Sequence, residues 1–96
     1  MLPLRWTERA VANLAGIAEF ISESSAVYAE SVVLRLEQQL ELLRRHPEMG
    51  KTASEAADLL VRELVIDSYR IFYRPHPDCI ELLAIVHGRQ LTPRGF

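Results

Sequence analysis

The residues best suited to chemistry lie in the last third of the chain: Arg62, Arg70, Arg74, His87 and Arg89. An arginine offers a planar, permanently charged fork for phosphate or carboxylate, but with a pKa above about 12 it is a poor base. His87 alone of the five can give and take a proton near neutral pH. Together they could hold an anion, meet the acidic groups of a partner protein, or simply solvate an open face. Arg70 has the further option of a salt bridge across a strand ladder to Glu63 or Glu81. Metal chemistry is not expected. His76-Pro77-Asp78-Cys79 contains ligand types, yet His46, His76 and His87 fall on separate elements without a pair at zinc-like spacing. Cys79 has no adjacent histidine to activate it as a nucleophile. The four glycines are scattered, so no phosphate loop and no cofactor is expected.

The elements that must position these side chains are strands. Val61–Ile66, Tyr69–Arg74 and Cys79–His87 are rich in Val, Ile, Leu, Tyr and Phe, and turn residues bound each run. The links Asp67-Ser68 and Pro75–Asp78 are too short for a crossover helix, so the runs are expected to pair as an antiparallel meander. Alternation along a strand puts Tyr69, Ile71 and Tyr73 on one face, with Arg70, Phe72 and Arg74 on the other. In the last run Ile80, Leu82, Ala84 and Val86 form a clean apolar face. Cys79, Glu81, Leu83, Ile85 and His87 form the opposite one, and Arg89 keeps that parity. Chemistry is therefore sought on the second face. Phe72, Leu83 and Ile85 would make an exposed apolar patch there, the mark of an interface, unless the loop from Pro47 to Leu60 covers it.

The first face needs a cover, and the preceding residues supply one. Leu2–Trp6 reads as a first strand, held to a sheet edge or to its later residues by Pro3. Trp6 is expected to anchor the core. Thr7 is a good N-cap for a helix ending among Glu23–Ser25, with Val11, Leu14, Ala18 and Ile21 as its stripe. A second helix runs from Ala26 to about His46 on Val32, Leu36, Leu40 and Leu43, and Pro47 stops it. One helical turn is expected at Ser54–Leu60, and the tail from Leu91 to Phe96 is expected to fray. The order is β-α-α-β-β-β: an α+β domain, with a small antiparallel sheet covered on one face by a helical hairpin.

Ninety-six residues are read as one domain, 1–96, with a single core. One cysteine excludes an internal disulfide and suits a reducing cytoplasm. No signal peptide and no membrane span is apparent. The net charge of −2 argues against a general nucleic-acid binder. Residues 1–60 carry six basic and nine acidic groups, while 61–96 carry five basic and four acidic, so the helical end is the negative one.

The element order and four segments carry a resemblance over nearly the whole chain. They are the opening LPLRWTERAVANLAGIAEFI, the loop HPEMGK, the strand pair VRELVIDSYRIFYR and the closing ELLAIVHGRQ. The chain resembles the ParE/RelE superfamily of toxins from type II toxin–antitoxin modules. That resemblance implies a small antitoxin wrapped around the toxin, with assembly continued through antitoxin dimers. It also implies one of two activities. RelE-like members cut messenger RNA on the ribosome without a metal. ParE-like members are associated with poisoning of DNA gyrase and stabilise the plasmid or locus that carries them.

By the resemblance, Arg70 and Arg89 sit where RelE-like toxins place phosphate-binding arginines, and Arg62 at a position often basic there. A further lysine position falls on Leu64, and the tyrosine expected beyond Arg89 is missing. His87 would have to be the acid or base. His-x-Arg, here His87 and Arg89, also recurs among ParE-like sequences. The expectation is a gyrase inhibitor that binds its partners through Arg62, Arg70, Phe72, Arg74, Leu83, Ile85, His87 and Arg89. The alternatives are a ribosome-dependent endoribonuclease using Arg70, His87 and Arg89, or an inactive member kept as a binding module.

Overall fold

A computed structural model describes residues 1–53 and 60–88. The elements are β1 (Leu4–Trp6), α1 (Glu8–Ser22), α2 (Ala26–Arg45), β2 (Lys51–Thr52), β3 (Arg62–Ile66), β4 (Tyr69–Pro75) and β5 (Ile80–His87). The expected helical turn at Ser54–Leu60 and the tail fall largely or wholly outside the described residues. The two helices pack against a five-stranded, mostly antiparallel sheet of order β1-β5-β4-β3-β2. The α+β class and the β3-β4-β5 meander match expectation. Two features differ. β2 is a short extra strand in what reads as a loop, and β1 pairs parallel to β5, with Leu4 opposite Ile80 and Trp6 opposite Leu82.

Both helices start on hydroxyl caps: Ala10 N–H donates to Thr7 Oγ1 at 3.2 Å, and Tyr28 N–H to Ser25 Oγ at 3.1 Å. α2 buries Ala29, Val32, Leu36, Leu40 and Leu43, the expected stripe extended by one alanine. α1 departs from its expected stripe at Val11 alone. Ala10 and Ile21 are buried and Leu14 and Ile17 pack on the core, whereas Val11 is exposed. Trp6 packs against the same core, with Ile71, Tyr73, Ile80, Leu82 and Ile85.

The face assignment of the last strand is corrected by a bulge. Phe72 stands opposite Ala84 but Tyr73 stands opposite Leu82, so Leu83 is an extra residue on β5. The phase flips there. Ile80, Leu82, Ile85 and His87 face the helices, while Glu81, Ala84 and Val86 face away. Side chains of α1 satisfy backbone groups around the irregularity. Thr7 Oγ1 donates to the Leu82 carbonyl at 2.7 Å, and Asn13 Oδ1 accepts from Ile85 N–H at 3.0 Å.

The second face is not the open surface expected. Phe72, Leu83, Ala84 and Val86 are buried with Ala53 and Val61 in a second apolar cluster. Ile85 is buried on the helix side. The proposed patch of Phe72, Leu83 and Ile85 is therefore core, part of it packed by Ala53 from the loop after Pro47.

Candidate functional site

On the second face Arg70 and Arg74 turn toward carboxylates of the chain itself. Arg70 Nη1 lies 3.8 Å from Glu63 Oε2, and its guanidinium carbon sits 5.2 Å from the centre of the Phe72 ring. Both side chains are nearly buried, at 13% and 9% exposure. Of the two cross-strand partners open to Arg70 in sequence, Glu63 is the one engaged. Glu81 instead gathers basic side chains from three places: Arg74 Nη1 at 2.9 Å, His76 Nε2 at 3.0 Å and Arg5 Nη2 at 3.2 Å. The His76 hydrogen bond, then that of Arg74 and the charges of Arg5 and Arg74, hold the Glu81 carboxyl below the usual carboxylate range despite partial desolvation.

Arg62 is bound into the chain's own loop. Its Nη1 donates to the Gly50 carbonyl at 2.6 Å and to the Glu48 carbonyl at 3.3 Å. Tyr73 holds the same loop from beneath, accepting from Gly50 N–H at 2.9 Å and donating to the Pro47 carbonyl at 2.8 Å. Burial raises the Tyr73 phenol above its ordinary pKa, with the Gly50 hydrogen bond opposing that rise.

His87 stands elsewhere. It ends β5 exposed on the helix side, directly opposite Tyr69, with the two rings edge to face at 5.6 Å and 87°. Beside them a cleft of about 750 Å³ opens between α1, the start of α2 and the sheet, lined by Asn13, Ile17, Phe20, Tyr28, Tyr69 and His87 among others. Burial, and then the neighbouring Tyr28 phenol, push the Tyr69 pKa up. Arg70 pairs with Val86, one step from His87, and so projects from the opposite face. The structure thus separates Arg70 from His87, and Arg89 lies outside the described residues. Metal-free RNA cleavage needs an acid–base group and a phosphate cation to converge on one phosphodiester. Among the described residues Arg70 and His87 do not converge.

The family model for the ParE toxin of the type II toxin-antitoxin system, parDE, matches residues 4–92. The chain belongs to the ParE toxin family. It is 32% identical over 92 residues to Toxin RelE2 of Caulobacter vibrioides, an alignment covering 95% of this chain and 100% of that protein. Its fold is similar to a solved chain of the chromosomal ParDE TA system from P. aeruginosa. The TM-score is 0.74 at 22% identity, covering 91% of this chain and 96% of that one.

As a ParE-family toxin of a type II toxin–antitoxin pair, the protein has an implied partner in its cognate antitoxin. Among its described residues no helix is long and apolar enough to cross a membrane. Two parts of this ParE-family surface escaped the sequence reading. The Glu81 hub unites residues 76 positions apart in sequence, Arg5 and Glu81, which no local pattern links. The cleft beside His87 depends on the bulge at Leu83, and its one visible signal was Phe20 and Tyr28 at the ends of two adjoining helices.

Proposed function

We propose that this ParE-family toxin inhibits DNA gyrase by protein–protein contact and is held inactive by its cognate antitoxin. The supporting observation is the placement of Arg70 and His87 on opposite faces of the sheet. The Arg70 charge is directed at Glu63, not at a site shared with the histidine. A chain without that convergence is better suited to poisoning a large enzyme by contact than to cutting RNA. The reading implies the cytoplasm as its compartment and stabilisation of the carrying plasmid or locus as its role.

Exposed His87 and the cleft beside it form the gyrase-facing candidate. Arg62 and Arg74, which engage the loop carbonyls and Glu81 in the chain itself, are the arginines proposed to meet acidic groups of the antitoxin. An extended antitoxin segment would add to a sheet edge, at β1 or β2.

The deciding experiment is gyrase supercoiling with purified toxin, scored for cleaved DNA, with and without cognate antitoxin. Inhibition with accumulated breaks that the antitoxin abolishes is the expected outcome. A gyrase unaffected at toxin excess would sink the reading.

A ribosome-dependent endoribonuclease is the second reading, favoured by the 32% identity to a protein named Toxin RelE2. There His87 would be the acid or base, with Arg70 and Arg89 on the phosphate. Messenger RNA cut on ribosomes by the wild type, and not by His87→Ala, would establish it.

A further inference from the structure

The cleft beside His87 exists because β1 stops early. Trp6 pairs with Leu82, and the chain then turns into α1, so among the described residues the rest of β5 has no strand on that side. α1 forms the wall there instead, and it does so with small residues. Ala12 and Gly16 lie one helical turn apart on the cleft, and a Cβ added at Gly16 would meet nothing within 4 Å. An interior glycine weakens a helix relative to alanine, and no close neighbour requires one here. What Gly16 provides is open space against the cleft.

Aromatic rings surround that space. Phe20 and Tyr28 line it while standing 75% and 55% exposed, so neither ring is consumed by the core. Tyr69 and His87 line it from the sheet, already edge to face at 5.6 Å. Among the described residues that line the cleft there is no Asp, Glu, Lys or Arg. Its polar groups are the two phenols, the imidazole and the Asn13 amide. Asn13 Oδ1 accepts from Ile85 N–H at 3.0 Å, which fixes the amide and leaves its Nδ2 donors to the cleft. Such a lining offers ring faces and neutral hydrogen bonds, with nothing to compensate a buried charge. The volume, about 750 Å³, suits a small molecule and exceeds what one inserted side chain would fill.

We propose that this cleft binds an uncharged, planar aromatic small molecule of two or three fused rings with a hydrogen-bonding edge. The ring plane lies over Ala12 and Gly16, where no long side chain intervenes. Its polar edge meets the Asn13 amide and the phenols of Tyr28 and Tyr69. The site stands whether gyrase or the ribosome is the target.

The test titrates naphthol into the full chain, isotopically labelled for NMR. Shift changes centred on Asn13, Gly16, Phe20, Tyr69 and His87 are expected, with a Kd of about 1 mM or tighter for a ligand of about 11 non-hydrogen atoms. Two relatives of the probe isolate its chemistry. Naphthalenesulfonate keeps the rings but adds a fixed charge, and decahydronaphthol keeps the hydroxyl but loses planarity and the π faces. Each should bind about tenfold more weakly or worse. Gly16→Leu fills the open space and should also cost about tenfold or more, while Tyr28→Ala removes one ring and should cost about threefold to tenfold. Both positions are exposed, so the variants keep the fold, which circular dichroism verifies. Equal binding of either relative, shifts centred outside the cleft, or affinity unchanged in both variants would overturn the proposal. So would the absence of any shift with naphthol at several millimolar.

Discussion

Arg70 and His87 stand on adjacent rungs of the β4–β5 ladder and project from opposite faces of the sheet. The relationship follows from the bulge at Leu83, which moves His87 to the helix side while Arg70 keeps its place beside Phe72. It makes the effect of His87→Ala informative. Gyrase inhibition by the variant should stay within about an order of magnitude of wild type, the loss of one exposed contact. A catalytic histidine would instead cost about 10²-fold or more in RNA cleavage. Parallel supercoiling and ribosomal cleavage assays on the two proteins separate these outcomes.

Arg70 should reveal itself through stability. Replacing it with methionine keeps the apolar stem over Phe72 but strips Glu63, 8% exposed, of this cation. Arg70→Met should lower unfolding free energy by about 1–3 kcal/mol in urea titration. Adding Glu63→Gln should return part of that loss, because no carboxylate is then left facing an apolar cluster. A phosphate-binding arginine with no structural role would leave the urea midpoint where it was.

Glu81 sets an acid limit. Its carboxyl titrates below its ordinary value of 4.5 in the folded protein because His76, Arg74 and Arg5 favour the charged form. The stability it contributes is complete above that ordinary value and is lost as pH falls through the lower folded value. Glu81→Gln should therefore be less stable than wild type at pH 7, and the gap should close on acidification. Thermal melts across pH 2–7 (roughly the range over which a carboxyl titrates) would detect it. A gap constant across the series would refute the assignment.

Two glycines should respond to alanine with opposite signs. Gly16 lies inside α1 with nothing within 4 Å of an added Cβ, so Gly16→Ala should stabilise by about 0.5–1 kcal/mol. A Cβ on Gly50 would come 2.7 Å from Tyr73 Oη and 2.8 Å from the Glu63 carbonyl oxygen. Since the carbonyl belongs to a strand and cannot swing aside, Gly50→Ala should destabilise by about 1–3 kcal/mol. It should also disturb the Tyr73 bonds that hold the loop. Chemical denaturation of both variants gives the comparison.

These contrasts mark where the chain was readable. Val32, Leu36, Leu40 and Leu43 recur at helical spacing among polar residues, so the sequence alone displays their face. In Tyr69–Arg74 the arginines at 70 and 74 set the phase, and parity places its residues on the faces the register shows. Leu82–Val86 is an unbroken apolar run, and parity in such a run carries no phase information, so the bulge at Leu83 left no trace. The misplacement of Ile85 and His87 followed from that one residue. The parallel pairing of Leu4–Trp6 with Ile80–Leu82 was hidden for a different reason. Three residues carry too little pattern to name a partner 76 positions away. The site was legible to the extent that its residues were local: Arg70 and Glu63 lie on one hairpin and His76 and Glu81 on the next, whereas Arg5 reaches Glu81 only once the sheet is assembled.

The neighbour of β1 in the sheet is β5, the last of the described strands. On the ribosome the chain emerges from its amino end, so Leu4–Trp6 waits without a ladder through the synthesis of both helices and every intervening strand. Thr7 waits too, because its hydroxyl and amide bond to the Leu82 carbonyl. Closure of so long a loop is a late and entropically expensive step. A half-translated toxin therefore has no completed sheet. The β1 edge, proposed above as a place for an antitoxin strand, takes shape only once β5 has been made.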